Sequence, residues 1–505
     1  MSRPHPILIQ GGMGIAISDW KLARSVSLLG QLGVVSGTAI ATVLIRRLQD
    51  GDLDGQTRFA LGHFPSQEIA QKLLELYFID GGRGPGTPYK RTVMYTIQPT
   101  IALLQLTVAA SFCEVFLAKH GHSGLIGVNL LEKIQVPNLA CLYGALLADV
   151  DYVIMGAGIP REIPGALDLL SQNLPAKLKV PVQAFSTTGE NLPEAWTEFN
   201  PPAVMQGTSL KPLKRPYFFP IVSSSVLANS LKKKSTGEVN GFVVEGPLAG
   251  GHNAPPRGPM KLDEAGEPIY GLRDQVDLAE MKELGLPFWF AGSCATPEKL
   301  KEVLNAGGSG IQVGTLFAFC NESGLATDLK KTVVEKILSG EKEGWIFTDP
   351  VSSPTGFPFK AVRLQGSMSE QSVYEERKRI CDLGYLRHAY QNAEGKVGMR
   401  CPAEPIEDYL KKGGELADTK GRKCLCNALM SDIGMSQIQN SGQIEKPLLT
   451  AGDDLNQLSR ILKERADYSS ADVVRYLMDA ENLTTSLSEI PSGAGSSEEA
   501  QLEHF

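Results

Sequence analysis

The chain has 505 residues, of which 42% are hydrophobic, and a formal net charge of −7. That length exceeds one small domain and fits a large barrel with appendages, or two to three domains. The mild, spread charge argues against a nucleic-acid surface. Eight cysteines in so long a chain argue against a disulfide scaffold, so a reducing, cytoplasmic compartment is expected. No secretory leader is expected, because the apolar run in "MSRPHPILIQGG" is short and enters glycines at once. The closest candidate for a membrane span, "PTIALLQLTVAASFCEVFLAK", carries Gln105 and Glu114 at helical spacing and reads as a core helix.

In chain order, short apolar runs alternate with longer helical patterns. They are "PILIQ", "GVVSG", "LIGVNL", "DYVIMG", "VPVQAF", "FFPIVS", "GFVVEG", "PFWFAG" and "GIQVGT". They lack polar/apolar alternation, as strands buried on both faces should. The rhythm predicts an α/β fold with a closed parallel (β/α)8 barrel. Such a barrel needs eight strands, so "VPVQAF" is assigned to an inserted unit followed by the loop-like "PPAVMQGTSLKPLKRP". A second insertion, about 58–100, holds the helical "SQEIAQKLLELYFI" and the glycine-rich "DGGRGPGTPYK". It reads either as a lid or as a surface elaboration. The basic "LKKKS" reads as a solvated helix end.

The barrel is expected over 1–347, followed by a mostly helical C-terminal extension: a cysteine-bearing segment over 348–445, a small helical segment over 446–488 and a disordered tail over 489–505. "YEERKRICDLGYLRHAYQ" predicts one helix, and "DDLNQLSRILKERADYSSADVVRYLMDAENL" predicts two, joined near Tyr468. "LTAGDDLNQ" reads as a helix start capped by Asp453 or Asp454.

Glycines follow the first, eighth and ninth strand candidates, in "QGGMG", "AGSCA" and "QVGT". Glycine after a parallel strand lets the backbone approach a ligand closely. The last two lie where barrels hold phosphate, with Gly292, Ser293, Gly314 and Thr315 at the strand ends. "VVEGPLAGGH" puts Glu245 at a strand end and His252 in the next loop, on the face that holds barrel active sites. His252 suits a base or a donor to developing negative charge.

Four blocks, "PILIQGGMG", "LIGVNL", "EGPLAGGHN" and "AGSCATPEKLKEVLNAGGSGIQVGTLFAF", resemble the nitronate monooxygenases, also called 2-nitropropane dioxygenase-like flavoproteins. The resemblance spans roughly Pro6 to Asn321 and implies an FMN-binding TIM barrel. By it, Gly12, Met13 and Gly14 run beside the isoalloxazine, and Asn129 bonds near the flavin or ribityl chain. Glu245, Gly250 and Gly251 lie at the cofactor. Gly292, Ser293, Gln312, Gly314 and Thr315 hold the phosphate, and His252 is the catalytic histidine. The family usually has Glu-Ala-Gly-Gly-His, whereas here Pro247 and Leu248 separate the acid from that run. It usually has a double glycine on the phosphate strand, where this chain has Ser293 and then Cys294.

The "EGPLAGGHNAPPRG" variant and the chain's length are also similar to trans-acting enoyl reductases of polyketide and polyunsaturated fatty-acid synthases. Those resemblances imply two activities: oxidation of a small alkyl nitronate with oxygen, or reduction of a carrier-bound or free enoyl substrate with NADPH. The second implies an acyl carrier protein as a possible partner, and a homodimer is compatible with either. A third reading is a non-catalytic barrel that serves as a binding partner.

After the barrel, Cys381, Cys401, Cys424 and Cys426 lie close in sequence, and four thiols suggest a tetrathiolate site for zinc or an iron–sulfur cluster, with unrelated buried thiols as the alternative. Cys113, Cys141, Cys320 and Cys294 read as buried packing residues. "SSPTGFPFKAV" reads as a rigid packing turn, with Lys360 able to reach the barrel mouth.

Overall fold

A computed structural model of the chain describes residues 5–184, 192–340 and 344–478. Eight strands form its central sheet: β1 (Leu8–Gln10), β2 (Gly33–Ser36), β3 (Ile126–Leu131), β4 (Tyr152–Gly156), β5 (Tyr217–Val222), β6 (Phe242–Glu245), β7 (Phe288–Ala291) and β8 (Gly310–Val313). Every pairing among them is parallel, and β1 lies beside β8. The ring closes between β1 and β2 through a parallel bridge at Ile9 and Leu32, where Gln10 N donates to Leu32 O at 3.0 Å. The result is a TIM barrel. Its strands are buried almost throughout, which is why their sequences show no alternation.

The barrel interior differs from end to end. Near the strand N-termini, Trp289 stacks on Phe219 at 4.9 Å, with Tyr152 and His5 packed around them. Trp289 Nε1 donates to Pro6 O at 2.9 Å, so its one polar atom is satisfied. Ile9, Val34, Ile154 and Val243 fill the middle. Near the strand C-termini the side chains become small or polar and a cavity opens.

The helix Ile101–Lys119 covers the barrel, with residues such as Val108, Ala109 and Val115 fully buried. By length and composition it could cross a bilayer, but most of it is enclosed by protein. Its Glu114 is held by an ion pair with Arg47 and accepts from Trp20 N at 3.0 Å. Arg47 also lies 3.6 Å from Asp19, so the buried charge is shared among three groups.

The first insertion forms helices Gln56–Gly62 and Gln67–Tyr77, which pack on Ile40–Gln49 and Ile101–Lys119. It is an outer layer of the barrel. None of its described residues lines the cavity at the strand C-termini, so the lid expectation is corrected. The "VPVQAF" region is an insertion as expected: Ala176–Val180 pairs antiparallel with Ala195–Phe199, and Val182–Gln183 joins a small sheet of the extension. The loop-like stretch after it starts with a short helix, Pro201–Val204.

The extension is mixed rather than mostly helical. Strands Ile346–Asp349 and Phe359–Val362 pair antiparallel, as do His388–Gln391 and Val397–Arg400. "YEERKRICDLGYLRHAYQ" is not one helix, because the helix Gln371–Glu376 stops at Arg377. Arg377 turns inward to Glu445 at 2.6 Å, and Gly384 takes φ +69, which no helix continues through. Farther on, helices Leu458–Leu462 and Ser470–Leu477 flank Tyr468, as the sequence predicts. Leu449, Leu455, Leu458 and Tyr468 share one apolar cluster with Leu316, Phe317 and Val313 of the barrel. The tail 489–505 lies outside the described residues.

Candidate functional site

The cavity at the C-terminal end of the barrel holds about 210 Å³. The loop after β1 forms one wall. Gln10, fully buried, accepts from Val34 N at 2.9 Å and donates to Ser18 Oγ at 2.7 Å. Ser18 Oγ in turn donates to Gly11 O and accepts from Met13 N at 2.9 Å. Those bonds fix Gly11–Gly14 against the strand ends. Glycine is needed at position 12, where a Cβ would lie 2.2 Å from Asn129 Cβ. Asn129, 8% exposed, faces the cavity beside it.

The opposite wall comes from the loops after β6, β7 and β8. Gly292 takes φ +92, and a Cβ there would lie 2.9 Å from Gly246 O. Ser293 follows at φ +52, a left-handed conformation that a serine adopts only under constraint. Its Oγ donates to Leu248 O at 3.2 Å. Gly314 and Thr315 end β8, and Thr315 Oγ1 accepts from Gly452 N at 2.9 Å. Gln312 Oε1 is buried with no hydrogen-bond partner in the protein.

His252 sits on a two-residue strand, Gly251–His252, that pairs antiparallel with Phe359–Lys360 of the extension. Its Nε2 shares a 2.7 Å hydrogen bond with Ser353 Oγ, and Phe359 packs edge-on at 4.9 Å. Burial pushes the His252 pKa down to about 4, so the imidazole is neutral at pH 7. Burial pushes the Glu245 carboxyl up to about 7. Glu245 is half-exposed to the cavity, so the upward push is fullest once a ligand displaces water.

All the residues assigned from the flavoprotein resemblance line this one cavity: Gly12, Met13, Gly14, Asn129, Glu245, Gly250, Gly251, His252, Gly292, Ser293, Gln312, Gly314 and Thr315. Sequence reasoning missed the contribution of the extension. Phe359, Leu429, Thr450, Gly452 and Asp454 also line the cavity, and Ser353 orients His252. The only signal was the paired prolines and phenylalanines of "SSPTGFPFKAV", which read as packing. Asp453 and Asp454 are not caps: they fall within the short 3-10 helix Asp453–Gln457, whose N-cap is Gly452. Asp453 pairs with Lys360 at 2.8 Å. Asp454 accepts from Ala295 N at 3.3 Å, and burial pushes its pKa up to about 6.

Cys381, Cys401, Cys424 and Cys426 come together around a second, small cavity, and all are free thiols. Among the described residues no group of three or more His, Cys, Asp or Glu side chains is placed to hold a metal ion. The expectation of a tetrathiolate site for zinc or an iron–sulfur cluster is therefore not supported. Cys113, Cys141, Cys294 and Cys320 are buried packing residues, and Cys294 Sγ donates to Phe290 O and Gln312 O.

Residues 198–355 match the family model "Nitronate monooxygenase". Over that stretch the chain is similar to the nitronate monooxygenases. The nitronate monooxygenase-like stretch holds β5 to β8, Glu245, His252 and Ser353, whereas Gly12, Asn129 and the four cysteines Cys381, Cys401, Cys424 and Cys426 lie outside it. No curated protein matches the sequence. Three of the solved structures distantly similar to it illustrate the likeness. FabK from Thermotoga maritima is 13% identical, with 96% of this chain and 94% of that chain covered and a TM-score of 0.46. A nitroalkane oxidase from Streptomyces ansochromogenes is 14% identical, with 95% and 97% covered and a TM-score of 0.45. The enoyl reductase domain of MlnA from Bacillus amyloliquefaciens is 10% identical, with 95% and 94% covered and a TM-score of 0.46.

Proposed function

We propose that this protein is an FMN-dependent oxidoreductase that oxidises a small alkyl nitronate, or a related carbanion, with molecular oxygen. The observation that carries this reading is His252 on the wall of a glycine-lined cavity, inside the family-matched stretch. The residues present fit FMN chemically. Gly292, Ser293, Gly314 and Thr315 offer main-chain N–H groups at the strand ends, where barrels cradle phosphate. The orphaned Gln312 Oε1 offers an acceptor to a ribityl hydroxyl or a flavin N–H. Gly12 lets the β1 loop lie against Asn129, where any side chain would collide.

Bound FMN would supply an electron acceptor for carbanions and, when reduced, a hydride donor. The rest is the work of the chain. Ser353 and Phe359 fix the plane of His252. The neutral imidazole can hydrogen-bond a substrate oxygen or take a proton from carbon at its other nitrogen. Glu245, neutral below about pH 7, does not then repel an anionic substrate.

A second reading is enoyl reduction with NADPH, and Glu245 is the observation that favours it. Hydride added to one alkene carbon must be matched by a proton on the other, and a carboxyl with a pKa near 7 in the same cavity is a suitable donor. The test is to load the full chain with FMN and follow two assays. Oxygen uptake with nitrite release from an alkyl nitronate supports the first reading. NADPH oxidation that depends on an enoyl thioester, with no nitronate activity, replaces it with the second. Failure to retain any flavin after added FMN rejects both and leaves a binding barrel.

A further inference from the structure

We propose that Glu245 is a proton relay between the main cavity and solvent, fed from its outer side through a separate cavity under the loop 254–274. That role rests on Glu245 being an acid of the reaction chamber, as in the proposed function. Glu245 is the last residue of β6 and borders two spaces. One is the main cavity. The other is a cavity of about 20 Å³ bordered also by Ser223, Gly246, Arg257, Tyr270 and Asp274. Among the described residues no other one lines both, so its carboxyl is the point where the two spaces meet.

The outer cavity is polar, and side-chain hydrogen bonds fix its walls. Arg257 Nη2 donates to Ser223 O, just past β5, at 2.8 Å, and Arg257 N donates to Asp274 Oδ1 at 2.8 Å. Asp274 Oδ2 accepts from Gly271 N at 2.8 Å, and the Tyr270 hydroxyl donates to Ala254 O at 3.1 Å. Those bonds draw the loop across the outer side of Glu245. A water needs about 10–15 Å³ and two to four polar partners, and this cavity offers both. The partners at hand are the Glu245 carboxyl, the lone pairs of the Tyr270 oxygen and the N–H groups of Arg257. Burial pushes the Tyr270 hydroxyl up to about 12, so it keeps its proton near neutral pH. Pro255 and Arg257 are exposed, so the rim of the cavity meets solvent.

Once ligand fills the main cavity, water reaches Glu245 from the outer side alone. The protonated carboxyl then gives its proton to the acceptor atom in the chamber. The carboxylate takes a proton from the outer water, and solvent returns one to that water, so the acid is restored with no oxidant or reductant consumed. The titratable and charged groups that share these spaces are His252 and Asp454 on the chamber side, and Arg257, Tyr270 and Asp274 on the outer side. Tyr270 acts only through Glu245 and is a positioning residue.

The test uses the full chain loaded with FMN and jumped from pH 6 to pH 8 by rapid mixing, with the infrared band of protonated carboxyls followed in time. The Glu245 band is the one that Glu245→Gln removes, and its decay gives the rate of proton release. Gly246→Val adds bulk beside the outer cavity where a Cβ meets no atom closer than 3.8 Å, so the fold should tolerate it. Release should slow about tenfold or more in Gly246→Val, and by a smaller factor in Tyr270→Phe, as for one lost hydrogen bond on the route. In Tyr270→Phe the equilibrium midpoint of the band should stay in place, because that hydroxyl bonds Ala254 O and not Glu245. Leu272→Ser, on the exposed surface of the same loop, should release at the unaltered rate. If Gly246→Val does not fold, Tyr270→Phe decides. An unaltered release rate in the folded variants would overturn the relay alone. Absence of a Glu245 band at pH 6, or a chain that retains no flavin, would overturn the acid role in the chamber and the relay with it.

Discussion

The two ends of the barrel are made by the same eight strands and are furnished in opposite ways. At the N-terminal end Trp289, Phe219, Tyr152 and His5 interlock. At the C-terminal end Gly12, Gly292 and Gly314 withhold side chains, and the polar groups Glu245, His252 and buried Gln312 border the empty space. Bulk at one end supplies the cohesion that lets the other end carry costly features: an unpartnered amide oxygen, a serine at φ +52 and an acid in a low-dielectric setting.

The sharpest way to break the contrast is Trp289→Ala. It removes a fully buried indole and should cost about 3–5 kcal/mol of stability, seen as a lower urea midpoint, with flavin lost only as the fold is lost. His252→Ala should do the reverse: FMN stays bound and the urea midpoint hardly moves, while kcat falls by about 10²–10⁴-fold. Unchanged turnover would remove His252 from the chemistry. Gly314→Val comes next. A Cβ there meets only Met13 at ordinary contact distance, so the fold should tolerate it, while the added bulk enters the cavity. FMN affinity should drop by about tenfold or more, or about 1.4 kcal/mol, and normal flavin content would misplace the phosphate loop.

Glu245 sharpens the contrast through pH. Its pKa is raised, so the neutral form dominates below about 7 and is lost as pH rises through that value. Under either proposed chemistry kcat/KM should fall above about pH 7, and Glu245→Gln should flatten that limb. The smallest effect is at Asp454, a buried acid beside the loop expected to hold phosphate. Asp454→Asn should raise FMN affinity about two- to fivefold, as expected when one partly screened like charge is removed.

The barrel was legible because strands buried on both faces leave continuous apolar runs, and the cavity was legible because glycine is needed where backbones meet, as at Gly12 and Gly292. The extension's share of the site was not. Phe359 and Ser353 reach His252 only through a ladder joining residues about a hundred positions apart, and no local pattern encodes that distance. The helix expected through Cys381 failed because a tertiary pull, Arg377 to Glu445, overrode local propensity. Gln10 and Ser18 were missed because one buried hydrogen-bond pair looks like any polar residue at a strand end.

The two-residue ladder between Gly251–His252 and Phe359–Lys360 has a consequence for engineering. It stitches the histidine's backbone to a segment outside the barrel, and Asp453 clasps Lys360 from farther along the chain. Cutting the chain at its apparent barrel boundary would therefore not yield a minimal catalyst. A graft of this barrel onto a foreign extension would import a new wall for the reaction chamber, and the extension is the part a designer would vary to change what the barrel accepts.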